Sequence, residues 1–118
     1  KRLPAIYLYD FVLLANQAKV LIDIHQSPTV GLNRKLFEMI ACGFTLVDDV
    51  PGAKEVLGEF KDRVSPYFVS PEEARAGIRY FLNHPEEREK LWALERKAIE
   101  PYSYENCARR IIENLTLV

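Results

Sequence analysis

The stretch Gly31-Leu32-Asn33-Arg34-Lys35-Leu36-Phe37-Glu38-Met39-Ile40-Ala41-Cys42-Gly43 decides how this sequence reads. Leu36, Phe37, Ile40 and Ala41 recur at helical spacing, which predicts a helix over about 33–42 with one apolar face. Gly43 stands where a helix C-terminal cap belongs. On either side the pattern changes. Residues 20–25, Val-Leu-Ile-Asp-Ile-His, form a short β-branched run of buried-strand length, and 44–47 read as a second strand. Between the first strand and the helix lies a loop over 26–30 with Ser, Pro and Thr, followed by Gly31.

Upstream, Asp10 is placed to cap a helix that runs through Phe11, Leu14 and Ala15 to about Ala18. Downstream, Val50-Pro51-Gly52 reads as a turn and 53–59 as a short helix. Residues 64–69 are a poorer third strand, interrupted by Pro66 and therefore suited to a sheet edge. The helix start after it is clearly marked: Ser70 to cap, Pro71 at the first helical position, and Glu73 three residues past the cap. Ala74, Ile78, Phe81 and Leu82 mark the core face of that helix. Asn83-His84-Pro85 ends it and begins another, with Leu91, Leu94 and Ala98 inward, which Pro101 closes. Ser103 caps a last helix whose Cys107, Ala108, Ile111, Ile112 and Leu115 form an apolar stripe. The alternation of strand-like and helix-like segments predicts an α/β fold: a parallel sheet flanked by helices, with a helical C-terminal extension.

A chain of 118 residues has the size of one compact domain, 1–118. Hydrophobic residues at 48% and charged ones at 28% provide both a core and a solvated surface, unlike a disordered chain. A net charge of −1 supplies no attraction to nucleic acid or to anionic membranes. Cys42 and Cys107 lack CxxC spacing, which argues against a disulfide framework or zinc site and for a reducing, cytoplasmic setting. Asn16, Gln17, Lys19 and Asp23 interrupt the longest apolar stretch, so no transmembrane segment is expected, and no signal peptide is visible. The sequence starts at Lys1 inside an already patterned segment and reads as a piece of a longer polypeptide.

A helix N-terminus exposes unsatisfied N–H groups and the positive end of the helix dipole, so the start of the 33–42 helix suits a phosphate. Gly31 lets a ligand approach the backbone closely. In an open parallel sheet ligands settle beyond the carboxyl ends of strands, where this loop falls. Asn33, Arg34 and Lys35 place a donor and two cations at the first turn. Cations there oppose the dipole, so helix stability does not account for them, whereas an anionic ligand does. Glu38 follows Arg34 by four residues. The same spacing also fits an exposed Arg34–Glu38 pair beside an ordinary loop glycine, and the segment alone does not separate the two readings.

Taken as one unit, residues 31–43 resemble the donor-site motif of group 1 glycosyltransferases, closest to the spore-maturation-protein-like branch. That pattern has a Gly, an Asn, a basic residue, then Phe-Glu, and closes on a small residue and Gly before a strand. Three neighbouring blocks share the likeness. Residues 18–25 (AKVLIDIH) resemble the family's strand into the site, 49–57 (DVPGAKEVL) its post-strand turn with a Glu, and 68–88 (FVSPEEARAGIRYFLNHPEER) its region after the sheet. The resemblance covers about 9–113.

It implies a GT-B architecture, in which two Rossmann-like domains face each other across a cleft, with this chain most of the C-terminal, nucleotide-sugar-binding one. It further implies that Glu38 accepts hydrogen bonds from the ribose hydroxyls and that Gly31 and Asn33 face the diphosphate or sugar. A basic residue, Lys35 by position in the motif, would offset charge on the leaving diphosphate. The implied reaction is glycosyl transfer with retention, from a nucleotide diphosphate sugar as substrate, with no cofactor and no obligatory metal. The acceptor would be held by an N-terminal domain of the same chain, onto which 103–117 would pack. Two positions depart from the pattern. Val30 stands where many group 1 enzymes carry a second Glu, and Lys35 stands where the branch has Arg, with Arg34 beside it. Which cation faces phosphate stays open.

His25, at the ligand end of its strand, is a candidate for a sugar hydroxyl or phosphate, Glu55 for the ligand side of the second strand's loop, and Tyr67 for contacting a base. Asp23 lies inside an apolar strand, where a carboxylate needs partners. His84 reads as a helix cap, Cys42 and Cys107 as small core residues, and Trp92 and the other tyrosines as packing or surface residues. Asp48-Asp49 at a strand end would also suit a receiver-type Mg²⁺ site, but that needs a third aspartate on a later strand, and none follows Asp62. A function of another class, a non-catalytic interaction or regulatory module that keeps the fold without the site, draws on Val30. A different nucleotide-binding α/β fold lacks its GxGxxG or GxxxxGKS/T motif here.

Overall fold

Alternation along one central strand sets the layers. The computed structural model describes residues 8–24, 34–60 and 64–116. In it β2 (Thr45–Asp48) lies between β1 (Leu21–Asp23) and β3 (Tyr67–Phe68), all parallel, with Leu21 opposite Thr45 and Val47 opposite Tyr67. Successive strand side chains point to opposite faces. Leu46 therefore packs with Phe44, Phe68, Ala74, Phe81 and Leu91, while Val47 packs with Leu36, Ile40, Val50, Ala53 and Leu57. The second cluster belongs to α2 (Arg34–Cys42) and α3 (Pro51–Leu57), the two crossovers of the sheet. Both lie on one face, as parallel crossovers of one hand require when strands follow in order. The other face is covered by α4 (Pro71–Asn83). The result is a helix-rich α/β fold on a small three-stranded parallel sheet.

The long α5 (Pro85–Ile99) joins the two faces. Leu91, Trp92 and Leu94 pack on the α4 side, and Ala98 and Ile99 on the α2–α3 side. The Trp92 indole N–H donates to the Ile40 carbonyl at 2.8 Å, and the Arg88 guanidinium to the Phe81 carbonyl at 2.9 Å, so α5 is tied to α2 and to α4. Gly77 lets α4 lie close on the sheet: a Cβ there would stand 3.3 Å from Leu46 Cδ1. A 3-10 turn, Glu100–Tyr102, leads from α5 into α6 (Tyr104–Thr116), and α1 (Leu8–Gln17) precedes β1.

Several boundaries and burials differ from the sequence reading. Helix α1 begins by Leu8, so Asp10 sits in its first turn, where its charge suits the dipole, and is not the cap. The expected turn at 50–52 is already helical: Val50 is extended and Pro51 opens α3 with its preset φ. Helix α3 closes on Gly58 at φ 80° and ψ −171°, a region essentially reserved for glycine. Ser70 caps α4 by accepting the Glu73 N–H at 3.1 Å, and Glu73 reaches back to the Val69 N–H at 2.8 Å. Leu82 is exposed because Phe81, one position round the helix, takes the buried place. His84 does act at a helix end, but on α4: its Nδ1 lies 2.7 Å from the Tyr80 carbonyl and its ring stacks on Tyr80. Neither cysteine is a core residue, since both are half-buried. In the α6 stripe Cys107 is half-buried, and Ile111, Ile112 and Leu115 are exposed.

The third strand is an edge, as expected, but it is only two residues long. Pro66 is buried beside it and, lacking an N–H, offers only its carbonyl, which accepts the Val47 N–H at 2.8 Å. Two residues back along β2, Thr45 turns its N–H to the same side, beyond the described extent of β3. Glu95 of α5 fills the gap: its Oε1 accepts that N–H at 3.1 Å.

Candidate functional site

Helix α2 offers three directions to its surroundings, and each has a different use. Leu36 and Ile40 are fully buried and fix the helix to the sheet. Lys35 turns toward β1, where its Nζ lies 3.5 Å from Asp23 Oδ1. Asp23 is fully buried, and this ammonium offsets part of the cost of a carboxylate inside the strand, by an ion pair where the sequence suggests a hydrogen-bonded structural group. Phe37, Glu38 and Ala41 turn away from both.

That third face forms one wall of a groove of about 860 Å³. The opposite wall comes from Arg96 and Ile99 of α5, Tyr102 of the 3-10 turn, and Tyr104 of α6. Phe37 and Tyr102 meet across it, ring centres 5.8 Å apart and tilted by 43°. Arg96 stacks on the Trp92 ring at 3.9 Å, which holds its guanidinium at the groove edge. The Cys42 thiol is pushed above its usual pKa by burial and then by the negative charge of Glu38. Ile99, which lines the groove, packs in the same cluster as Val50, the second residue beyond the end of β2. The groove runs along the outer side of α2, from its second turn toward its C-terminal end.

The residues singled out from sequence do not all fall in this place. Glu38 lines the groove. Arg34 opens α2, one turn before it. Glu55 is exposed on α3, and no α3 residue is among those lining the groove. Tyr67 donates its hydroxyl to the Gly58 carbonyl and packs edge-on to Phe60 at 5.8 Å, so its polar atom is already engaged. Asp49 pairs with Lys54 at 3.2 Å. His25, Gly31, Asn33 and the side chain of Arg34 lie outside the described residues. Among the described residues no group of three or more His, Cys, Asp or Glu is arranged to hold a metal ion.

Two features escaped the sequence. Glu95 is fully buried, and burial pushes its carboxyl well above the usual range, opposed by the Thr45 N–H. Its place four residues after Leu91, on the inward row of α5, was the available signal. The aromatic wall of the groove was read as packing or surface, because Tyr102 and Tyr104 stand more than sixty residues from Glu38 with no pattern linking them.

A family described as glycosyl transferase-like matches residues 1–113. The chain belongs to this family. No curated protein and no solved structure matches it. As a member, the chain is a glycosyltransferase-type domain, and its chemistry in general joins a sugar donor to an acceptor. The match takes in α2, the sheet and both walls of the groove. No described helix of this glycosyltransferase-like domain is long and apolar enough to cross a membrane.

Proposed function

We propose that this domain binds the nucleotide diphosphate sugar donor, as the C-terminal Rossmann-like half of a two-domain GT-B enzyme of group 1, in its spore-maturation-protein-like branch. The position of Glu38 carries this reading: it stands half-buried on the second turn of α2, in the wall of the groove. There it accepts hydrogen bonds from the ribose hydroxyls, and the N-terminus of α2, with Gly31 and Asn33 before it, faces the diphosphate. Arg34 and Lys35 offset the charge that builds on the diphosphate as the glycosidic bond breaks. Lys35 already has Asp23 as a partner, which favours Arg34 for the phosphate. His25 completes the sugar side. Transfer proceeds with retention, without a metal, in the cytoplasm.

The acceptor is held by an N-terminal domain of the same polypeptide. The exposed Ile111, Ile112 and Leu115 of α6 support a partner there, since a row of large apolar side chains is costly to leave in water. Calorimetric titration with UDP, GDP and ADP tests the donor reading. Millimolar or tighter binding of one of them by the wild-type protein, lost on Glu38→Ala, supports it. No binding of any would leave the non-catalytic module.

A further inference from the structure

The ribose of a nucleoside diphosphate carries its base at C1′ and its diphosphate, through C5′, at C4′. The two lie on the same face but at opposite flanks of the ring oxygen, with the two hydroxyls along the far edge. With the hydroxyls on Glu38 and the diphosphate at the N-terminus of α2, the base points away from that terminus, along the groove. The next turn of α2 carries Ala41, whose small side chain leaves room there. Beyond it stand Tyr102, already in ring contact with Phe37, and Tyr104, a residue 79% exposed. A volume of about 860 Å³ lies within the range of pockets that enclose small ligands.

We propose that the base of the donor nucleotide stacks in this groove against Phe37, Tyr102 and Tyr104, so that the 3-10 turn and the start of α6 form its recognition subsite. The assignment rests on Glu38 as the ribose ligand. Aromatic faces hold any base, and Arg96, Glu100 and Ser103 at the rim supply the donors and acceptors that tell one base edge from another. An exposed tyrosine at the head of a helix has little packing to lose, whereas a base stacked on it gains contact area for little side-chain entropy.

The test compares UDP, GDP, ADP and inorganic pyrophosphate on the wild-type protein and on a Tyr102→Ala/Tyr104→Ala double variant, by calorimetry. The expected result is a loss of about tenfold or more for the preferred nucleotide, with pyrophosphate unchanged. A Tyr102→Phe/Tyr104→Phe protein keeps the stacking faces and binds like wild type. Thermal melting of each variant shows that the fold persists. If the alanine variant binds nucleotide normally while Glu38→Ala does not, the base lies elsewhere and the ribose reading stands. Equal losses for nucleotide and pyrophosphate would overturn the base assignment, because a stacking wall does not touch phosphate. If Glu38→Ala also leaves nucleotide binding unchanged, the ribose reading falls and the subsite with it.

Discussion

Replacing Glu95 with Gln should flatten the dependence of stability on pH. The Glu95 side chain is fully buried, with one carboxyl oxygen on the Thr45 N–H at 3.1 Å. Burial raises its pKa well above the ordinary carboxyl value, and the Thr45 hydrogen bond only partly opposes this. At a pH between those two values the unfolded chain has released the proton while the folded one retains it. The folded state then binds one proton more, so stability falls as pH rises, by about 1.4 kcal/mol per pH unit across that window. Below the ordinary carboxyl pKa the contribution is fully present, and it is lost progressively upward to the raised value. Tyr67, whose hydroxyl is pushed up by burial and then by Asp49, Glu95 and Glu59, stays neutral throughout. Glu95→Gln keeps an oxygen for Thr45 and removes the titration. Urea midpoints at pH 5, 6, 7 and 8 for both proteins give the difference directly. Parallel curves would refute the reasoning, since they would mean that Glu95 titrates alike in folded and unfolded chains. Glu95→Leu at pH 5 isolates the other role: the orphaned Thr45 N–H should cost about 1–3 kcal/mol.

Lys35→Ala should lower stability by about 1–3 kcal/mol in the absence of nucleotide, because it removes the ammonium beside buried Asp23 while its own half-exposed position limits the effect; unchanged melting would assign Lys35 to the ligand alone. Gly58→Ala forces a Cβ onto φ 80° and ψ −171° and should cost about 1–3 kcal/mol by chemical denaturation, although nothing crowds that Cβ. Ser70→Ala removes the acceptor for the Glu73 N–H and should cost about 1 kcal/mol, read as a shifted urea midpoint with an unchanged slope.

The parts of the fold that were legible in the sequence are those set by local rules. The α4 start was written in Ser70, Pro71 and Glu73, and the cap forms as read. The edge position of β3 followed from Pro66, and the apolar row of α2 from its spacing. Gly43 follows α2 as expected, yet its N–H simply continues the helix to the Met39 carbonyl at 2.9 Å, so no left-handed turn is needed there. What the sequence did not show depends on distance. Thr45 pairs with Leu21 of β1, but on the side of β3 its N–H is met by Glu95, a group from fifty residues later. The groove beside Glu38 has the same origin: α2 supplies one wall, and the second arrives only after α4 and α5 have folded back. Local periodicity fixed the position of Glu38 on its helix but carried no information about what would face it.

The central claim is that Glu38 holds the ribose of a nucleoside diphosphate. Its most direct measurement is the affinity of UDP, GDP and ADP for the wild-type protein and for Glu38→Ala, taken by calorimetry under identical conditions. Hydrogen bonds to a charged acceptor contribute about 1.5–3 kcal/mol, so the variant should bind the preferred nucleotide about tenfold or more weakly. Equal affinity in the two proteins would contradict the claim.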